Sequence, residues 1–239
     1  MRRLLIRPGA IGDFILSLPT LEAARAEYTE VWAPRPVLPL IRFANATRAI
    51  IDTGIERVGV VEGTRVAALD TFDSIYSWYG TNHPEFREAV RDLPFTFFPA
   101  LPPSPGIPII PVPQLPMSDF VVIHPFASNV GKRVPLDHFR RLATELECPI
   151  RWLAGPEESL EEAERFDDLY ELACWLSTAR LYIGNDSGIS HLAAAVGVPT
   201  LAIFLTSDPQ VWAPRGPHVR VLERPSFEST VLAARGLLR

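Results

Sequence analysis

The stretch YIGNDSGISHLAAAVGVPTLAIF, residues 182–204, places a strand, a turn, a helix and a second strand in immediate succession. The first apolar run ends at Gly184, and Asp186 and Ser187 stand where a helix N-cap belongs. A small, apolar helix body follows, and Gly197 with Pro199 stops it before TLAIF begins. A strand followed at once by a helix and another apolar strand is the signature of a parallel βαβ crossover. Gly188 opens the first turn of the helix to close approach by a ligand. Free N–H groups there, with the positive end of the helix dipole, suit a phosphate or pyrophosphate. The competing interpretation is that Asp186 only caps the helix and His191, one turn in, is a core or capping residue. From spacing alone both remain open.

The same rhythm extends on either side. The spacing predicts strands at 120–124, 150–154, 181–184, 200–204 and 219–222, with helices at 135–147, 157–165, 168–178, 187–196 and 226–237. Nearer the start it predicts strands at 4–7, 30–33, 57–61 and 74–77, and helices at 13–27, 36–44 and 83–91. Between these halves, LPPSPGIPIIPVPQLP (101–116) carries seven of the 24 prolines. It is expected to be an extended linker lying on the protein, joining an N-terminal domain (1–115) to a C-terminal one (116–239). Short apolar strands alternating with helices make each half a Rossmann-like α/β unit with a parallel sheet, and ligands belong at the strand carboxyl ends, in the cleft between domains.

Composition narrows the function. The chain has 239 residues, 47% hydrophobic and 21% charged, with a net charge of −5 and scattered arginines. That argues against a nucleic-acid-binding face and leaves room for a local anion site. Two cysteines, Cys148 and Cys174, are too few for a disulfide framework. The start, MRRLLIRPGAIGDF, loses its apolar run at Arg7 and Pro8 and is expected to belong to the folded protein. No uninterrupted apolar stretch has the length of a spanning helix, so a soluble or peripheral protein is expected. The histidines and cysteines show no metal-ligand spacing.

Three further segments could carry chemistry. SNVGKRVP (128–135) holds the sole lysine, Lys132, among 23 basic residues that are otherwise arginine. A compact ammonium on a thin stem suits a phosphate in a tight pocket, and Ser128 could donate to the same anion. RPGAIGDFILSLP (7–19) follows a strand with a glycine turn and Asp13 at a helix start, a helix cap or a general base. It lacks the third glycine of a dinucleotide fingerprint and the lysine of a P-loop. LAGPEESLEE (153–162) places Glu157 and Glu158 after a strand, as first-turn acids or as a carboxylate for ribose hydroxyls.

Taken in order, these segments resemble glycosyltransferase family 9, the ADP-heptose:lipopolysaccharide heptosyltransferases. Gly9-Ala10-Ile11-Gly12-Asp13 with Leu18-Pro19 is similar to the family's G-x-I-G-D start. His124 to Lys132 resembles its H-P-G-x-S segment, and Asp186 to Ala195 its D-[ST]-G-x-x-H-L-A-A-A signature, followed by Pro199 to Phe204 and Thr206 to Pro209. The likeness is strong over 119–215 and the first 25 residues. It implies the GT-B fold, two Rossmann-like domains facing each other across a cleft. It also implies metal-independent, inverting transfer of a heptose or related sugar from a nucleotide-diphosphate donor, ADP-linked, to a glycan or lipopolysaccharide-type acceptor. No other cofactor is implied. By the resemblance Asp13 is the catalytic base. Ser128 and Lys132 meet the donor phosphates, Glu158 the ribose, and Asp186, Ser187 and Gly188 the pyrophosphate; His191 belongs to the signature. A cytoplasmic location, free or peripheral to the membrane face, is implied as well. The chain departs from the pattern at Phe126 and Val134, where the family has glycine and tryptophan. It is also shorter than typical members, with the deficit in the first domain, which binds the acceptor. An idle nucleotide-sugar-binding protein and a sugar-nucleotide epimerase are the alternatives.

Overall fold

The computed structural model describes residues 1–100 and 105–239. Residues 101–104 of the proline-rich segment lie outside them. The chain forms two compact units, Met1–Pro105 and Gly106–Arg239, each built on a five-stranded parallel sheet.

In the first unit the strands are β1 (Arg2–Ile6), β2 (Tyr28–Ala33), β3 (Ala46–Ala49), β4 (Ser74–Ser77) and β5 (Phe95–Phe97), in the order β3-β2-β1-β4-β5. Leu4, Leu5 and Ile6 are fully buried, as the central strand of a sheet covered on both faces requires. Helix α1 (Ile11–Ala23) follows β1 with Pro19 inside it, and α2 (Pro84–Ala89) precedes β5. The order reverses between β1 and β4, so the carboxyl end of β1 lies at a topological switch point.

Two expectations fail in this unit. The helix at 36–44 is a 3₁₀ helix, Arg35–Leu40, because Pro39, inside it, removes an amide donor that an α-helical ladder needs. The strand at 57–61 is a series of turns. Gly54 and Gly59 take left-handed backbone angles, φ 72° and 78°. A Cβ on Gly59 would come 2.7 Å from the backbone of Glu85 and Phe86. The strand in its place, β3, is the short ATRA, whose exposed Thr47 and Arg48 hide it from an apolar-run search.

The second unit contains β6 (Val121–His124), β7 (Ile150–Trp152), β8 (Leu181–Asn185), β9 (Thr200–Phe204) and β10 (Val219–Glu223), ordered β10-β9-β8-β6-β7. Its helices are α3 (Leu136–Glu145), α4 (Leu169–Leu176), α5 (Gly188–Ala195), a short α6 (Pro209–Trp212) and α7 (Phe227–Leu237). Here the switch point falls between β6 and β8, in register at His124 opposite Gly184. All residues of β8 and β9 are buried, and Phe139 and Leu142 of α3 pack with Val231 and Ala234 of α7 against the sheet. From the proline-rich segment, Ile110 is buried and donates its N–H to the carbonyl of Ala195, while Tyr170 Oη reaches the Pro111 carbonyl.

The helix expected at 157–165 does not form. Arg165 donates to the carbonyls of Glu158 and Leu160, and Glu164 runs alongside β7, exchanging bonds with Trp152 and Ala154. The backbone of Glu164 is therefore committed to β7 and not to a helix, and the clustered glutamates at 157, 158, 161, 162 and 164 repel one another along any helical surface.

Phe139 is fully buried between α3, α7 and the sheet. Phe139→Ala is expected to destabilise the second unit by about 3–5 kcal/mol. Leu232→Ala, on the exposed face of α7, should change stability by no more than about 0.5 kcal/mol in urea unfolding.

Candidate functional site

At the switch point of the second unit, the loop after β6 folds back onto the start of α5. Its Val130–Lys132 segment is one 3₁₀ turn, closed by the Asn129 side chain accepting from the Gly131 N–H. Arg133 Nε donates to the Ala127 carbonyl at 2.6 Å and its guanidinium lies over the Phe126 ring. The loop is fixed from the other side by Asn185, which is wholly buried. Asn185 Nδ2 donates to the Pro125 carbonyl at 2.8 Å, and Oδ1 accepts from the Val134 N–H at 3.1 Å.

This staple brings Lys132 to Asp186. Lys132 Nζ lies 2.6 Å from Asp186 Oδ2, and the side chains are 30% and 6% exposed, so the ammonium retains an open face while the carboxylate does not. Ser207 Oγ donates to the same oxygen at 2.6 Å. The Asp186 side chain is therefore engaged by the loops after β6 and β9 and does not cap the helix. Ser187 occupies the N-cap position of α5 with extended backbone angles and makes no side-chain cap bond. Its Oγ lies 3.4 Å from Ser190 Oγ instead. Among the described residues no side chain closes the start of α5. The helix thus presents first-turn N–H groups, its positive dipole end and the nearby Lys132 ammonium in one place. Such a place holds an anion without further machinery.

His191 is buried at the next position on this helix. Its Nδ1 has no hydrogen-bond partner among the described residues. Burial pushes its pKa down to about 4; Asp186 opposes the shift, and Arg215 and Lys132 add to it. It is neutral at neutral pH.

Beyond β7, Glu158 closes a tight turn, its Oε2 accepting the Gly155 N–H at 2.6 Å and lying 3.3 Å from His124 Nε2. Burial alone would raise the Glu158 pKa, but these two hydrogen bonds and the Arg133 charge outweigh it and hold the carboxyl below its ordinary value. An open cavity of about 630 Å³ borders this turn, with Leu136, Arg140 and Arg165 in its walls. Ser128 is exposed on the β6 loop, and Glu157 is exposed beside Glu158.

In the first unit, Asp13 lies in the first turn of α1, and its Oδ2 reaches back to the Ala10 N–H at 3.1 Å. Gly9 has φ 121°, and a Cβ there would come 3.1 Å from Asp13 Cβ, so the turn requires glycine. Beneath it Arg7 is 3% exposed. Its guanidinium donates to Ser17 Oγ at 2.7 Å, the Pro8 carbonyl at 2.7 Å and the Asp13 carbonyl at 3.2 Å. Burial lowers the Arg7 pKa and the Asp13 carboxylate opposes the shift.

The structure thus gathers Lys132, Asp186, Ser187 and Gly188 at one point and places His191 just behind it. Glu158 stands at the neighbouring strand end and Asp13 in the other unit. Asn185, Ser207, Tyr182 and Arg7 were not singled out from sequence. Arg7 and Asn185 carry a recognisable signal, a polar residue at the end of an otherwise apolar strand run. Ser207 carries none.

Residues 112–230 match the profile of glycosyltransferase family 9 (heptosyltransferase). No curated protein matches the chain in sequence. Among solved structures, the chain is similar to E. coli ADP-heptose lps heptosyltransferase II, with 16% identity and a TM-score of 0.75 over 100% of this chain and 98% of the other. It is also similar to a family 9 glycosyl transferase from Veillonella parvula, with 17% identity and a TM-score of 0.73 over 99% and 97%. A third similar structure is E. coli heptosyltransferase WaaC with ADP, with 15% identity and a TM-score of 0.64 over 99% and 98%. The two parallel-sheet units match the GT-B-like fold of these enzymes.

The depressed pKa of His191 has a consequence for stability. Below pH 6.5 the unfolded chain protonates this side chain, while the folded chain resists until about pH 4. The contribution is complete above pH 6.5 and is lost as pH falls through that window, with a slope of up to about 1.4 kcal/mol per pH unit. His191→Gln should flatten the unfolding free energy across that window; equal slopes in the two proteins would refute the assignment.

Proposed function

We propose that this chain, whose residues 112–230 match the glycosyltransferase family 9 profile, is a glycosyltransferase that moves a heptose or related sugar from a nucleoside-diphosphate donor, ADP-linked, to a glycan or lipopolysaccharide-type acceptor. Transfer inverts the anomeric carbon and uses no metal. The observation that carries this proposal is the start of α5, left open by its own side chains and faced by an ammonium.

In this mechanism the donor diphosphate lies against the Gly188 and Ile189 N–H groups, with Lys132 bridging Asp186 and the β-phosphate. Ser128 donates from the loop. Asp186 acts chiefly by holding the ammonium in place, because its carboxylate is engaged by Lys132 and Ser207. Glu158 accepts from the ribose hydroxyls through Oε1, since Oε2 already serves Gly155 and His124. The nucleoside occupies the bordering cavity. Neutral His191 lines the site without adding charge.

For the transfer itself, the acceptor hydroxyl oxygen attacks the anomeric carbon from the face opposite the diphosphate. Its proton passes to Asp13 Oδ1, Oδ2 being held by Ala10. The bond from the anomeric carbon to the β-phosphate oxygen breaks, and the electron pair leaves with the diphosphate. Lys132 and the helix amides stabilise that charge as it develops, the role a divalent cation plays in other enzymes. Arg7 and Ser17 fix the backbone on which Asp13 stands.

The test is titration of the protein with ADP, GDP, UDP and CDP, followed by a transfer assay with the matching donor. Asp13→Asn is expected to lower turnover by about 10²- to 10⁴-fold and to leave diphosphate affinity unchanged. Lys132→Ala should weaken diphosphate binding by roughly tenfold or more and reduce turnover as well. Full transfer by Asp13→Asn would remove the base assignment. Wild-type affinity in Lys132→Ala would remove the leaving-group assignment.

A further inference from the structure

A line of buried polar groups crosses the second unit beneath the proposed donor site. Glu158 Oε2 lies 3.3 Å from His124 Nε2, and His124 Nδ1 lies 3.3 Å from Tyr182 Oη. Tyr182 Oη lies 3.3 Å from Ser190 Oγ, which is 2.6 Å from the Asn185 carbonyl oxygen. Tyr182 and Ser190 are wholly buried, and His124 is 4% exposed. The line begins at the carboxylate proposed to hold the ribose and ends in the first turn of the helix proposed to hold the diphosphate.

Donor and acceptor chemistry sets its direction. A carbonyl oxygen only accepts, so Ser190 donates its single hydroxyl proton to Asn185. Glu158, held below the ordinary carboxyl range, is ionised at neutral pH and also only accepts. The proton between Glu158 and His124 therefore sits on Nε2. In that tautomer Nδ1 carries a lone pair, and its neighbour is the Tyr182 hydroxyl. Burial raises the tyrosine pKa, so the hydroxyl keeps its proton and donates it to Nδ1. The other groups around His124 and Glu158 are the Phe126 ring, edge-on at 6.1 Å from the imidazole, and the Arg133 charge facing Glu158.

Backbone space makes this arrangement possible. Tyr182 and Gly184 point to the same face of β8, and a Cβ on Gly184 would come 2.5 Å from Tyr182 Oη and 2.9 Å from Cζ. Gly184 has ordinary strand angles, and its lack of a side chain is what lets the phenol lie along the strand to reach both His124 and Ser190.

We propose that Tyr182 is a positioning residue: by donating its hydroxyl proton to His124 Nδ1 it holds the imidazole so that Nε2–H aims the Glu158 carboxylate at the donor ribose. This rests on the proposal above that Glu158 meets the ribose. It adds that the orientation of Glu158 is set by a phenol that touches no substrate.

The experiment uses the intact protein, with ADP and inorganic pyrophosphate as probes in titration calorimetry and ¹⁵N-histidine NMR for the imidazole nitrogens. Tyr182→Phe is expected to weaken ADP about tenfold and leave pyrophosphate unchanged, because only ADP carries a ribose. The His124 Nδ1 resonance should shift as that nitrogen loses its donor, with the ring still in the Nε2–H form that Glu158 imposes. Gly184→Ala, which displaces the hydroxyl without removing it, should give the same split between the two probes. A merely structural role predicts equal loss for both probes and an unchanged Nδ1 resonance; that result, or wild-type ADP affinity in both variants, would overturn the proposal. If the wild-type protein binds neither probe, the donor-site assignment fails. The His124 Nδ1 resonance of Tyr182→Phe then still decides whether the phenol donates to His124.

Discussion

The ion pair between Lys132 and Asp186 is the contact on which the second unit's site depends. An aspartate just before a helix would ordinarily cap it and satisfy the first-turn amides. Here Oδ2 receives Lys132 and Ser207 instead, both at 2.6 Å. The carboxylate is thereby held away from the helix it precedes. One interaction has two results: the amides of α5 stay available to a ligand, and a cation is held beside them with part of its surface exposed. Because the carboxylate is nearly buried and the ammonium is not, an incoming anion meets the positive partner first. Removing either partner would leave a poorly solvated charge or return the helix start to its own side chain.

That contact needs a loop held still, and its support lies in buried polar groups. Asn185 binds the backbone on both sides of the β6 loop, at Pro125 and Val134. Below it the line runs from Glu158, in the turn after β7, through His124 at the end of β6 and Tyr182 of β8 to Ser190 in the first turn of α5. Polar groups at this depth are costly unless satisfied, and here each has an acceptor or donor in reach. The first unit uses the same principle at its own switch point. Arg7 is buried with three acceptors and fixes the Gly9 turn under Asp13.

Much of this architecture could be read from residue order, for physical reasons. The central strands of the second unit, β6, β8 and β9, are apolar runs buried on both faces and bounded by proline or polar residues, so they were legible. The first unit was less so. ATRA has no apolar run because β3 is an edge strand, and the prolines of RPVLPL turned an expected α-helix into a 3₁₀ helix. At the site, Lys132 stood out as the single lysine and Asp186 as the residue opening a glycine-containing helix. What spacing could not supply was their pairing, since 54 positions separate them and only the order β8-β6 of the sheet brings them together. The same spacing suggested a cap for Asp186, because local propensity favours it; a tertiary contact prevailed. Tyr182 resembled an ordinary core aromatic, and its polar end acquires meaning only when His124, in the neighbouring strand, is seen opposite Gly184.

The claim that the open start of α5 is a diphosphate site can be tested at the amides themselves. In ¹H–¹⁵N spectra of the labelled protein titrated with ADP, the Gly188 and Ile189 amide protons should move downfield on binding and become protected from hydrogen exchange. Lys132→Ala should shift the same titration to higher ADP concentration. Binding of ADP that perturbs residues elsewhere and leaves those two amides unchanged in shift and exchange would contradict the account.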